Sequence, residues 1–162
     1  MLILLLLEIL LLLEIWGDAS ALGLTFWAPS RNIAFITDLV INSERNFNVF
    51  FNEAVTVLAA LEWASTLHPP PACLAIHTDS TSSFAIFNSL RALELYNPIL
   101  LASVKIRLEH KIDLQVFHIE GKKNVIADAL SRRARNLARS IHPGLKILQF
   151  MPPLSLTGVS LK

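Results

Sequence analysis

Hydrophobic and polar positions along the chain change period several times, and each change marks an element. From about Leu11 to Asp18 the residues are largely apolar, ending in Gly17-Asp-Ala-Ser20, which predicts a core strand closed by a turn. Leu22-Gly-Leu-Thr-Phe-Trp-Ala28 predicts a second strand, Pro29-Ser-Arg-Asn32 a turn and Ile33-Ala-Phe-Ile36 a third strand, together an antiparallel meander. A polar connection through Asn42-Ser-Glu-Arg-Asn46 leads into Phe50 to Leu67, a run without Gly or Pro that is apolar nearly all round. Such a helix belongs against a sheet, mostly buried. Pro69-Pro-Pro71 stops it, and Ala72 to Thr78 has the composition of a short strand at a sheet centre.

A second helix is expected from near Ser80 to Ser83 past Leu90, and a third from Asn97-Pro98 through His110, with Pro in its first turn. Asp113-Leu-Gln-Val-Phe-His118 alternates as a strand, and Asn124 to about Ala138 forms the final helix, with Asn124 as its N-cap. Three strands, helix, strand, helices, strand, helix is the order of an α/β protein with a mixed five-stranded sheet and helices packed on its faces.

A length of 162 residues suits one domain with a full core, and 53% apolar against 17% charged residues excludes disorder as a description of the whole. The opening Met1-Leu-Ile-Leu-Leu-Leu-Leu-Glu-Ile-Leu-Leu-Leu-Leu-Glu-Ile15 has the look of a membrane or export segment. Glu8 and Glu14 interrupt it, no Lys or Arg precedes it, and it is shorter than the ~20 apolar residues of a spanning helix, so no membrane is expected as a partner. The only cysteine, Cys73, sits in an apolar run and reads as a buried, inert thiol; an intracellular location, cytoplasmic or nuclear, is expected.

The formal net charge is only +1, but it is unevenly placed. Lys122, Lys123, Arg132, Arg133, Arg135, Arg139 and Lys146 face a single acid, Asp128, in the stretch from Gly121 to Lys146. A block of this kind is either a solvated helix face or a phosphate-contacting one.

Four acids stand where strand ends and helix starts would carry them to one sheet edge. Asp18 ends the first strand, where an Asx-turn is the ordinary role. Glu53 lies near the start of a helix among Phe50, Phe51, Ala54 and Val55, where it either complements the helix dipole or needs a cation. Asp79 closes the buried strand ahead of Ser80-Thr-Ser-Ser83, the position of a helix cap and also the place where α/β sheets put their chemistry. Asp128 falls early in the last helix, after the turn that Gly121 permits. Four carboxylates in one site cannot all ionise without a counter-charge, and an all-oxygen set suits a hard divalent cation such as Mg²⁺. Two such ions would serve phosphodiester cleavage.

Glu44-Arg-Asn-Phe47 followed by Glu53-Ala-Val-Thr-Val-Leu-Ala59, the strand-borne Thr78-Asp-Ser80, and His118-x-x-Gly-x-x-Asn-Val-x-Ala-Asp-Ala-Leu-Ser-Arg132 resemble the ribonuclease H domain of gypsy-like LTR retrotransposon polyproteins. Gly17-Asp-Ala-Ser20, Gly23 and Trp27 fit the same template, and Ala127-Asp-Ala-Leu-Ser-Arg132 is its most specific part. The resemblance implies a ribonuclease H-like domain over residues 11–139, between a leucine-rich extension at 1–10 and a linker or arm at 140–162, with sheet order 3-2-1-4-5. It implies cleavage of the RNA strand of an RNA–DNA hybrid with two Mg²⁺ ions, Mn²⁺ being the alternative. Asp18, Glu53, Asp79 and Asp128 take the catalytic and metal-ligating positions, and Lys122, Lys123, Asn124, Arg132 and Arg133 are expected to bind nucleic acid. A reverse transcriptase domain of the parent polyprotein is the implied protein partner.

Many relatives of that family carry a loop histidine that aids product release; here His118 precedes Gly121 at a strand end, and a structural role is expected for it. The competing function is a catalytically inactive ribonuclease H-like module that binds nucleic acid or supports a polymerase. Retention of all four acids favours the enzyme.

Overall fold

The computed structural model describes residues 1–3, 12–39 and 48–152. Its elements are β1 (Leu12–Ala19), β2 (Gly23–Ala28), β3 (Ile33–Asp38), α1 (Val49–Ser65), β4 (Cys73–Thr78), α2 (Thr81–Ser89), α3 (Asn97–His110), β5 (Asp113–His118), α4 (Val125–Ser131), α5 (Arg135–Ile141) and β6 (Lys146–Gln149). They form one sheet in the order β5-β4-β1-β2-β3-β6. The expected order 3-2-1-4-5 is present in full, extended by a strand beyond β3. β1–β2 and β2–β3 are antiparallel, whereas β1–β4, β4–β5 and β3–β6 are parallel.

Alternation along β1 explains the two layers. Leu13 and Ile15 point to one face, where Leu24, Phe26, Leu74, Ile76, Leu114 and Val116 join them under α1. Leu58 and Leu61 of α1 are fully buried there, which is why this helix needs no polar stripe. Truncating either to Ala should cost about 2–5 kcal/mol. On the opposite face α4 and α5 cover the β2–β3 side, through Ala34, Ile36, Ile126, Leu130 and Ala138, and α4 reaches across to the end of β1. Over β1, β4 and β5 that face instead carries the stacked row Trp16, His77 and Phe117. His77 is thus a packing residue, its pKa lowered by burial.

Helix starts follow local chemistry. Asn48 caps α1 by accepting from the Phe51 N–H, and Ser80 caps α2 through Ser83. Asn88 then fastens α2 to the sheet, donating to the Val116 carbonyl at 2.7 Å and accepting from the Val116 N–H at 3.1 Å.

Two features depart from the sequence reading. The final helix, expected to be continuous from Asn124 to Ala138, is two short helices. Arg133 adopts a left-handed conformation (φ 65°), and the Ala134 and Arg133 N–H groups donate back to the Ala129 and Leu130 carbonyls. This is the C-terminal lock usually built on glycine. The Arg133 side chain compensates by donating to the Leu39 carbonyl at 2.6 Å beside Asp38. Second, the stretch expected as a linker or arm carries β6 at Lys146–Gln149, laid along β3 and anchored by Asn32 donating to the Gly144 carbonyl. Of the leucine-rich segment, residues 4–11 lie outside the described residues. Among the described residues no helix is long and apolar enough to cross a membrane.

Candidate active site

Parallel pairing of β1 with β4 fixes the site. Trp16 is in register with His77, so the next outward residues, Asp18 and Asp79, finish neighbouring strands side by side. α1 crosses the same sheet edge and contributes Glu53 from its N-terminal end. One carboxylate oxygen from each of Asp18, Glu53 and Asp79 lies within 4.8 Å of the others.

Among the described residues neither Asp18, Glu53 nor Asp79 takes part in an ion pair; Arg132 acts on the cluster only from its place beside Asp128. Asp18 is only 6% exposed. Burial raises its pKa to about 6; the Ser131 hydrogen bond opposes the rise, Asp79 and Asp128 add to it, and Arg132 opposes it. Glu53 is raised to about 7, first by burial; the Ser80 hydroxyl pulls it down, while Asp79 and Asp18 push it up. Both acids therefore resist ionising in the metal-free protein.

Three hard oxygen donors with this charge deficit fit a divalent cation of the Mg²⁺ or Mn²⁺ type. The adjoining backbone fits it too. Gly121, at the turn after β5, lies so close to Asp79 that a Cβ there would stand 2.9 Å from Oδ2. A bare Cα keeps that side of the carboxylate clear.

The fourth expected ligand stands apart from these three. Asp128, in the first turn of α4, forms an ion pair with Arg132 one turn on, Oδ1 to Nε 2.8 Å, and this contact raises the Arg132 pKa. Its charge still reaches Asp18.

The residues expected to contact nucleic acid divide. Lys122 and Lys123 are exposed on the short turn after β5, Lys122 beside Glu120 at 2.8 Å. Arg132 is exposed beside Asp128. Arg133 is committed to Leu39 and Asp38 and braces the fold. Asn124 is corrected: at 2% exposure it offers no surface to a nucleic acid. It makes no side-chain cap bond either; its amide donates to the Gly17 carbonyl at 2.9 Å, next to Asp18. Sequence reasoning missed Ser131, whose hydroxyl donates to Asp18 Oδ2 at 2.5 Å, and Ser80, which takes the cap role expected of Asp79 and lies beside Glu53.

No protein-family model and no curated protein matches the chain. Solved structures do. The RNase H1 of the halophilic archaeon Halobacterium salinarum NRC-1 is 16% identical with a TM-score of 0.55, over 77% of this chain and 98% of that one. The N-terminal RNase H domain of rv2228c from Mycobacterium tuberculosis, solved as a fusion with maltose-binding protein, is 13% identical with a TM-score of 0.51, over 75% of this chain and 95% of that one. At such identities the likeness speaks for architecture alone, and with the sheet order and flanking helices it gives the chain a ribonuclease H-like fold.

Proposed function

We propose that the protein is an endoribonuclease that cleaves the RNA strand of RNA–DNA hybrids by two-metal-ion phosphodiester hydrolysis. The observation that carries this is the convergence of Asp18, Glu53 and Asp79 within 4.8 Å, none of them in an ion pair among the described residues, at the strand ends of a ribonuclease H-like sheet. Asp18, Glu53 and Asp79 would hold the divalent ions, with Asp128 completing the set once it exchanges Arg132 for a cation. Bound there, Mg²⁺ supplies activation of the attacking water and charge stabilisation at the leaving oxygen.

The chain's own residues orient the reaction. Ser80 and Ser131 each steady one carboxylate, and Gly121 leaves Asp79 accessible. Lys122, Lys123 and Arg132 contact phosphates without reading sequence, while 2′-hydroxyl contacts tell the RNA strand from DNA. The Ala127-Asp-Ala-Leu-Ser-Arg132 motif supports descent from a retroelement polyprotein, in which a reverse transcriptase domain would hold the duplex.

One observation favours the second reading, a non-catalytic binding module: Asp128 is held by Arg132 rather than turned to the other acids. A labelled RNA–DNA hybrid, incubated with the protein and Mg²⁺ beside duplex DNA and duplex RNA controls, separates the two. The enzyme cuts the RNA of the hybrid alone and stops when chelator is added. Binding without cleavage in Mg²⁺ or Mn²⁺ establishes the module instead.

A further inference from the structure

Ser131 is fully buried at the last turn of α4, and three features of the β1–β2 hairpin converge on it. Its hydroxyl donates to Asp18 Oδ2 at 2.5 Å. Its carbonyl accepts from the Ser20 hydroxyl at 2.7 Å. Gly23 passes beside that carbonyl so closely that a Cβ on it would stand 3.0 Å from the oxygen and 2.9 Å from the Thr37 carbonyl.

A serine inside a helix ordinarily bonds back to a carbonyl one turn earlier. Ser131 has that acceptor, the Asp128 carbonyl at 3.0 Å, yet its single hydrogen has a closer, ionisable partner in Asp18. A hydroxyl donating to a carboxylate makes the shorter and stronger bond of the two. The left-handed turn at Arg133 ends α4 just past this residue, and Arg133 and Arg135 tie the turn to Asp38 at the end of β3. The end of α4 is therefore fixed at both of its neighbours.

We propose that Ser131 is a positioning residue for the metal site: it clamps Asp18 Oδ2 and leaves Oδ1, which has no protein hydrogen-bond partner among the described residues, as the ligand atom turned to the cation. This rests on the function proposed above and adds to it a residue that touches neither metal nor substrate. Partners one bond removed from a metal change its affinity by roughly 10–100-fold when lost.

The test is Mn²⁺ titration of the full chain, read by calorimetry, for the wild type, Ser131→Ala and Ser131→Cys. Alanine is smaller than serine and cysteine somewhat larger, and neither is a strong donor, so a loss shared by both follows the hydrogen bond and not packing. Both variants should bind Mn²⁺ about 10–100-fold more weakly while keeping the metal-free melting temperature within a few degrees of wild type. In the cleavage assay kcat should fall with KM for the hybrid unchanged. Mn²⁺ affinity within twofold of wild type in either variant overturns the assignment, as does a lowered melting temperature with affinity intact, which marks a packing role. A wild-type protein without saturable Mn²⁺ binding overturns the metal site itself, and the Ser131 assignment with it.

Discussion

Two aspartates close outer and inner strands of the same meander, Asp38 at the end of β3 and Asp18 near the end of β1, and their surroundings are opposite. Asp38 faces two arginines, Arg135 at 2.7 Å and Arg133 at 3.6 Å, and is 39% exposed. Asp18 is buried, faces two further acids, and receives one hydroxyl. The protein neutralises the first carboxylate itself and leaves the second in deficit. A compensated carboxylate joins elements together; an uncompensated cluster reserves its charge for something that arrives from outside.

Breaking the uncompensated side should have the largest effect. Asp79→Asn should abolish hybrid cleavage while leaving hybrid binding intact or improved, and metal-free stability should hold or rise because repulsion among the acids is eased. Gel-shift and melting measurements beside the cleavage assay check this, and an unfolded variant would mark Asp79 as structural. Gly121→Ala should come next. The new methyl would meet Asp79 Oδ2 at 2.9 Å, and displacing a ligand carboxylate by a fraction of an ångström should lower kcat by about 10–100-fold, measured at saturating Mg²⁺.

The compensated side should respond in stability instead. Asp38→Ala removes the shared partner of Arg133 and Arg135; these groups are more than a third exposed, so about 1 kcal/mol and a drop in melting temperature of roughly 2–4 °C are expected, with specific activity unchanged. Activity lost in step with stability would show that the α4–α5 turn is needed for the chemistry.

Acid titration sharpens the contrast. Asp18 goes from 3.8 to about 6 and Glu53 from 4.5 to about 7, so the folded, metal-free protein binds more protons than the unfolded chain between roughly pH 4 and 7. Stability contributed by these two groups is therefore present at the acid end of that window and declines as pH rises through it. Saturating Mg²⁺, which binds the ionised forms, should reverse the slope, as melting curves at pH 5, 6 and 7.5 would record. The smallest effect is expected at Lys123, exposed on the turn beside Gly121. Lys123→Glu should weaken hybrid binding a few-fold whatever the sequence and flatten its salt dependence by about one phosphate contact. An unchanged salt slope would show that nucleic acid approaches from another side.

The site was legible in the chain to the extent that it depends on alternation and strand ends. A hydrophobic run ending at Asp18, a second ending at Asp79 and an all-apolar helix starting near Glu53 suffice to place three carboxylates at one edge once the strands pair in parallel. What escaped depends on contacts between distant residues. The Ser131–Asp18 hydrogen bond joins positions 113 apart, and serine within a helix carries no sign of such a partner. Arg133 ends α4 where glycine would have announced the turn, because Leu39 and Asp38 stabilise a conformation that arginine alone disfavours. β6 follows Pro143 and Gly144, which read as breakers, and it is a strand only because β3 offers it an edge. Asn124 has the composition of a cap, yet it makes no side-chain cap bond and instead ties the helix entry to β1 by donating to the Gly17 carbonyl.

Anomalous diffraction from crystals grown with Mn²⁺ addresses the uncompensated cluster most directly. The account predicts Mn²⁺ peaks bounded by Asp18, Glu53 and Asp79, absent from crystals of Asp79→Asn grown the same way. Peaks confined to other carboxylates, with these three acids free of metal at neutral pH, would contradict it.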